Sequence, residues 1–566
     1  MVGGAVNRRV QPHGLTSGYA LRITFPFRLS AALLPVCAAV YLSIAYNFAF
    51  WQSFVGATGG WHWAAVPVQL GMLALLVCAF TACLALLNFP RVIKPVLISL
   101  FLVTSLISYF MDQYGTLIDW SMVQNIMETD HRESGELLSG RMLASVLLTG
   151  LLPALVLAAV ELRFRQGRRQ LAVNLTTAAA ALGAAVLLLL LLFKALAPAL
   201  HEHRELRFLL TPTNYIQAVA SYYQRKWRAP LVVAPLGTDA AKGVLWIGAQ
   251  RRTVTVIVVG ETARAANFSL NGYALPTNPQ LSRVAGLLNF SDMTSCGTAT
   301  AISLPCLFSS LGRERYTQQK AQSQEGLLDV IRHAGLDVVW RDNNSGCKGV
   351  CDRVAYEDVS HPVKGDPLCN DEECYDEILL RGLRERIRAA RQDLVIVLHQ
   401  KGSHGPAYAK RYPSDFKVFG PVCETGELAT CSQASIVAAY DNTILYTDHV
   451  LASAIALLER SSEEDEVDTS LIYFSDHGES LGEGNLYLHG APYFISPKEQ
   501  RQVPFMLWLS DGFRTRFQVD QRCLQARAAQ KFDHDYIFHS MLGLLNISTA
   551  VYNPKFDLFN ACRHAD

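Results

Sequence analysis

Residues 253–260 read TVTVIVVG, an unbroken apolar and β-branched run that ends on a glycine and passes straight into Glu261. A run with no polar face fits a strand covered on both sides, as in the parallel sheets of α/β domains. DVVW (337–340), DLVIVLH (393–399) and TSLIYFS (469–475) share the pattern. Helical patterns lie between them, over Glu325 to Ala334, Tyr375 to Ala390 and Ala434 to Glu459. Strands alternating with helices predict an α/β domain with a mainly parallel central sheet.

The chemistry lies where these strands end. Ligands of open α/β sheets bind beyond the carboxyl ends of the strands, where loops converge and helix N-termini face the site. Glu261 follows the first run, Asp476 and His477 follow the last, and His404 comes shortly after the third. Taken singly, each is as readily a helix cap as a ligand. Together they offer oxygen and imidazole donors that suit Zn²⁺ without cysteine. The segment SCGTATAISLPC (295–306) adds a hydroxyl-rich turn with a cysteine at each end. A hydroxyl held on a metal has a lowered pKa and becomes a nucleophile near neutral pH. Spacing leaves Thr294, Thr298, Thr300 and Ser303 open for that role.

Upstream the chain changes character. Five apolar stretches, at about 29–51, 66–88, 95–111, 143–161 and 172–199, approach or exceed the ~20 residues a membrane-crossing helix needs, the third being the shortest. Arg8, Arg9, Arg22 and Arg28 precede the first, Arg91 and Lys94 follow the second, and Arg163, Arg165, Arg168 and Arg169 follow the fourth. The loop Gln52–Ala65 has no Lys or Arg, and Asp112–Arg141 has six acidic residues and two Arg. Positive loops stay cytoplasmic, so the N-terminus is expected inside and the α/β part outside.

The cysteines point to the same side. Three of the thirteen lie in the apolar stretches. The other ten include the short-range pairs Cys296/Cys306, Cys347/Cys351, Cys369/Cys374 and Cys423/Cys431, leaving Cys523 and Cys562 to pair by arithmetic. Disulfides in an oxidising compartment are expected. NYIQAVASYYQRKW (214–227) suits an amphipathic helix at the bilayer surface. The expected division is a membrane domain over 1–200, a bridging segment over 201–236 and a catalytic domain over 237–566. With 50 basic against 49 acidic residues, nothing favours nucleic acid as a partner.

GETAR (260–264), CGTATA (296–301), HQKGSHGPAY (399–408), SDHGESLGE (475–483) and YLHG (487–490), in this order after five apolar spans, resemble the lipid A phosphoethanolamine transferases. SDHGE alone would indicate only the broader alkaline phosphatase and sulfatase superfamily. The resemblance implies five transmembrane helices and a periplasmic alkaline phosphatase/sulfatase-like domain in the bacterial inner membrane. It implies Glu261, Thr300, Asp476 and His477 as zinc ligands, Thr300 also as nucleophile, and leaves room for a second zinc ion. His404 and His489 match phosphate-binding, proton-transferring histidines, and Lys348 matches a lysine near the substrate phosphate. His399 matches no role and serves as a control. Asn125, Thr129 and Glu133 match headgroup-binding positions, and their four-residue spacing would put them on one helix face. The implied donor is phosphatidylethanolamine and the implied acceptor lipid A, with the chain acting as a monomer. The rival readings are the same chemistry on another acceptor, such as core sugar or a periplasmic glycan, transfer of phosphoglycerol, and a membrane phosphatase or sulfatase.

Overall fold

The computed structural model describes residues 28–128, 131–203, 205–226, 232–370 and 372–563. Among the described residues four helices are long and apolar enough to cross a membrane: α3 (Val66–Leu86), α4 (Ile93–Tyr114), α6 (Gly140–Ala159) and α7 (Gly167–Glu202). The stretch expected as the shortest span is thus part of a 22-residue helix. The first apolar stretch departs from a straight span. It forms α1 (Leu34–Ala45) and α2 (Phe48–Ala57), bent by 70° from one another. Buried Asn47 sits at the bend, and its side-chain amide donates to the carbonyls of Leu42 (2.8 Å) and Thr211 (3.0 Å). A side chain that takes over backbone partners in this way ends a helix. At ~1.5 Å per residue α7 is about 54 Å long, so it outruns the hydrocarbon core. Between α4 and α6 lie helix α5 (Trp120–Glu128) and a one-turn helix, His131–Glu136. The expected surface helix is α8 (Thr213–Lys226).

The α/β part is built on eight strands: β1 (Arg252–Gly260), β2 (Leu288–Thr294), β3 (Asp337–Asp342), β4 (Ala355–Asp358), β5 (Leu394–His399), β6 (Val467–Ser475), β7 (Gln502–Leu509) and β8 (Lys531–Asp533). Their order is β8-β2-β7-β6-β1-β5-β3-β4, and β7 alone runs antiparallel to its neighbours. Central β1 shows why the run could be apolar throughout. Ile257 and Val259 face one core, and Val254, Val256 and Val258 face the other. The helix expected over Tyr375–Ala390 is instead a tight turn, Asp376–Leu380, and a helix, Leu383–Ala389, separated by Gly382 with φ of 68°. All five disulfides are present, including Cys523–Cys562.

The α/β part is seated on the helical part. Tyr109 and Tyr114 of α4 belong to the same buried cluster as β1 and β6. Gly115 has φ of 67°, and a Cβ there would lie 2.5 Å from the carbonyl oxygen of Asn485, so only glycine admits this approach. The Tyr114 hydroxyl donates to the Gly426 carbonyl (3.2 Å). Buried Arg411 pairs with Glu136 from the helical part and Glu373 from the α/β part, and its Nε donates to the His404 carbonyl (2.7 Å). Replacing Arg411 by methionine leaves two buried carboxylates facing each other without a cation. The expected loss is about 3–5 kcal/mol, read as a lower unfolding temperature of the full chain in detergent. An unchanged transition would show that the triad does not hold the two parts together.

Candidate active site

Strand register brings the carboxylates together. Gly260 at the end of β1 pairs with Ser475 at the end of β6, so the next residues, Glu261 and Asp476, emerge side by side at the carboxyl edge. The Asp476 N–H donates to the Gly260 carbonyl (3.0 Å), extending the ladder one step. Glu261, Asp476 and His477 are buried, and one donor atom from each lies within 4.8 Å of the others. Thr262 follows in left-handed backbone (φ 53°), rare for a β-branched residue, and its carbonyl accepts from the Tyr440 hydroxyl (2.7 Å).

The hydroxyl-rich turn supplies the fourth group. Its backbone enters helix α9 (Thr300–Leu307), and Cys296–Cys306 ties the turn to the far end of that helix. Thr294 lies in β2, Thr298 donates to the Ala491 carbonyl (2.6 Å), and Ser303 donates to the Asp476 carbonyl. Among the four, the Thr300 hydroxyl alone faces the cluster. It lies 3.1 and 3.0 Å from the two Glu261 oxygens and 3.3 Å from His477 Nε2.

These residues fit a bound cation. His477 Nδ1 lies 2.9 Å from the Gly478 carbonyl, which fixes its proton there and leaves the Nε2 lone pair for the cluster. Asp476 Oδ1 accepts from the His477 N–H (2.7 Å), whereas its buried Oδ2 has no hydrogen-bond partner among the described residues and faces His477 Nε2 at 3.5 Å. Electrostatics agree. Burial first, and then the Glu261 charge, push Asp476 up to about 6. Burial opposes a charged His477, but Asp476 and Glu261 outweigh it and hold the imidazole up to about 10. Burial likewise opposes a charged Glu261, and the hydrogen bond and charge of His477 overcome it, leaving the carboxyl below its usual range. Two carboxylates buried together are stable only with positive charge among them.

A histidine pair stands over this cluster. The rings of His404 and His489 are 5.2 Å apart, and His489 lies 4.7 Å from the ring of His477. Buried Glu479 reaches His489 Nδ1 (3.4 Å). Burial, with His489, Lys401 and Arg411 nearby, lowers the pKa of His404 well below the ordinary value against the pull of Glu261. The loop carrying His404 is held from below. Asp376 accepts from the N–H groups of Lys401 (2.7 Å) and Gly402 (2.8 Å). Gly402 (φ 59°) packs so closely on Glu261 that a Cβ would fall 2.5 Å from its carbonyl oxygen.

Other expected positions are more scattered. The Lys348 ammonium turns back onto Ser345, with both its carbonyl and its hydroxyl at 3.1 Å. Asn125 lies on α5, while Thr129 and the Glu133 side chain fall outside the described residues. The control, His399, is fully buried beneath the site and bonded to Asp342 (3.0 Å). Asn344 is a residue that sequence reasoning missed: its amide donates to Glu261 Oε2 (2.8 Å) and to the Gln400 carbonyl (2.9 Å). The signal was available, since Asn344 follows the end of β3 as Glu261 follows β1. Glu479 was equally legible inside SDHGE.

Known proteins resemble this chain in sequence and fold. The sulfatase family model matches residues 253–547, and the model for phosphoethanolamine transferase EptA/EptB matches residues 76–227. Phosphoethanolamine transferase EptA of Escherichia coli strain K12 is 41% identical over 528 residues, covering 93% of this chain and 96% of that protein. Phosphatidylethanolamine transferase Mcr-1 of Escherichia coli is 38% identical, covering 87% of this chain and 91% of its own length. The integral membrane lipooligosaccharide phosphoethanolamine transferase A of Neisseria meningitidis superposes with a TM-score of 0.91 at 34% identity, over 95% of this chain and all of that one. Likeness of this extent, spanning both the helices and the sheet, settles the family: the chain belongs to the EptA-type phosphoethanolamine transferases.

Proposed function

We propose that the protein moves phosphoethanolamine from phosphatidylethanolamine to a phosphate of lipid A, through a covalent intermediate on Thr300. The observation that carries this reading is the Thr300 hydroxyl, 3.0 Å from Glu261 and 3.3 Å from His477 at the N-terminus of α9. In this reading the membrane helices hold the chain in the inner membrane with its N-terminus in the cytoplasm and the α/β part in the periplasm. The Lys and Arg placement supports that orientation, and the five disulfides support the oxidising side.

Glu261, Asp476, His477 and Thr300 would hold Zn²⁺, since their oxygen and imidazole donors match its preferences. When bound, zinc supplies Lewis acidity that favours the deprotonated hydroxyl and offsets charge on the phosphoryl oxygens. Thr300 Oγ attacks phosphorus, and the bond to the diacylglycerol oxygen breaks. Thr300 has by then given its hydroxyl proton to solvent; His489, with Nδ1 on Glu479, donates a proton from Nε2 to the leaving oxygen and regains one from solvent, and His404 lines the same side. A lipid A phosphate oxygen then attacks the same phosphorus and releases Thr300 Oγ. Asn125, Thr129 and Glu133 are assigned to the lipid headgroup and Lys348 to the substrate phosphate. The product carries an ammonium beside a formerly exposed phosphate, so cationic peptides such as polymyxins bind the outer surface less well.

Three outcomes test this. Wild-type protein expressed in a polymyxin-sensitive Gram-negative host should add phosphoethanolamine to lipid A, seen by mass spectrometry. Modification confined to core sugar or another glycan would redirect the acceptor. Thr300→Ala should lower transfer on the order of 10³-fold or more, and persistent modification by that variant would remove Thr300 as nucleophile. Asn344→Ala should weaken zinc binding about 10- to 100-fold in chelator competition, because it frees a Glu261 oxygen to turn. Equal zinc retention would mean that Asn344 serves only the loop.

A further inference from the structure

Three buried polar atoms at the seam between α5 and the α/β part have no partner among the described residues: Gln124 Oε1, Glu128 Oε2 and Tyr316 Oη. Gln124 is only 1% exposed, and its amide has one sensible orientation. Its Nε2 donates to Glu128 Oε1 (2.9 Å) and to the Ala301 carbonyl (3.3 Å), both obligate acceptors, so Oε1 is the atom left without a donor. Glu128 uses one oxygen on Gln124, and no cation pairs with it among the described residues. Tyr316 is close enough that the Glu128 charge adds to burial in raising its phenol pKa. Buried polar groups are nearly always bonded, so the unmet acceptors of Gln124 and Glu128, with the Tyr316 phenol near enough to feel the Glu128 charge, call for a donor that none of the described residues supplies.

Their chemistry selects the donor. A carboxylate oxygen, an amide carbonyl and a phenol together suit a compact cation with several N–H bonds. An anion would be repelled by Glu128. A trimethylated ammonium has the charge but no N–H to offer, and a neutral hydroxyl lacks the charge. The position selects the source, because Gln124 touches the carbonyl of Ala301, the residue next to Thr300 in the first turn of α9.

We propose that Gln124, Glu128 and Tyr316 form the subsite for the primary ammonium of the phosphoethanolamine group. The inference rests on the transfer reaction proposed above. It moves substrate contact one residue round α5 from the face of Asn125, and Gln124 and Glu128, four residues apart, lie together on that neighbouring face. The ammonium stays attached to phosphorus when the diacylglycerol oxygen leaves. One subsite therefore serves the bound donor and the Thr300-linked group alike. It also favours phosphatidylethanolamine over phosphatidylcholine and phosphatidylglycerol.

The test uses the full-length protein in mixed micelles with lipid A as acceptor. The donors are phosphatidylethanolamine and its N,N-dimethyl derivative, and kcat and KM are measured for each. Glu128→Gln should raise KM for phosphatidylethanolamine about ten- to a hundredfold, the worth of a charged hydrogen bond, and shrink the preference over the dimethyl donor. Tyr316→Phe keeps the ring and removes only Oη. It should shift the same preference in the same direction by a smaller factor, and it serves if Glu128→Gln folds poorly. Unchanged preference in Tyr316→Phe, or equal loss on both donors, would overturn the subsite and leave these groups a packing role. A wild type that transfers nothing from phosphatidylethanolamine would instead overturn the reaction itself.

Discussion

Glu261 and Asp476 are forced together by the parallel register of β1 and β6, and most of the molecule's design follows from that pairing. Two carboxylates at a buried sheet edge repel one another and have lost their water. The arrangement is tolerable only with a cation, and among the described residues His477 pairs with both carboxylates. Everything nearby limits where that cation can sit. Asn344 fixes one Glu261 oxygen, the Gly478 carbonyl fixes the imidazole, and Asp376 with Gly402 fixes the loop that closes over Glu261. The left-handed Thr262 is the local cost of turning the chain away directly after the first ligand.

The same constraint explains the staple around α9. A hydroxyl is a weak ligand and a poor nucleophile unless it is held in place, so its helix must not slide against the sheet. Cys296–Cys306 closes the turn, Ser303 ties α9 to the backbone of Asp476, and Thr298 ties the turn to the segment carrying His489. Two neighbouring hydroxyl residues, Thr298 and Ser303, thus serve to aim Thr300.

The sequence disclosed those parts whose physics is local. β1, β5 and β6 were legible because strands covered on both faces must be apolar throughout, and their trailing polar residues marked the ligand edge. β2 and β7 were not read. LNFSDMT in β2 mixes polar with apolar residues, and β7 inserts antiparallel among parallel neighbours. The break between α1 and α2 was hidden because its cause is Asn47 meeting Thr211, residues 164 positions apart. Likewise, four hydroxyls of one turn are alike in sequence, and only the fold shows which faces Glu261. Asn344 and Glu479 were within reach of the strand-end rule but were not drawn from it.

Seating the α/β part on the helices has a chemical consequence. In the proposed reaction, a phosphoryl group carried on Thr300 would pass to water as readily as to a lipid unless water is kept away and the acceptor is held close. Thr300 is 9% exposed, and Gln124 of α5 bonds to the carbonyl of the residue beside it. Helix α9 is therefore roofed by a segment that belongs to the membrane side. Arg411 bonds Glu136 on that side and the carbonyl of His404 on the other, so a change in seating is felt at the histidine pair. Detaching the α/β part would keep the hydrogen bonds described for Glu261, Asp476, His477 and Thr300, which all lie within that part. It would remove the roof and one side of the Arg411 triad. In the proposed reaction metal binding would thereby be a property of the sheet, whereas choosing a lipid over water would be a property of the two halves together.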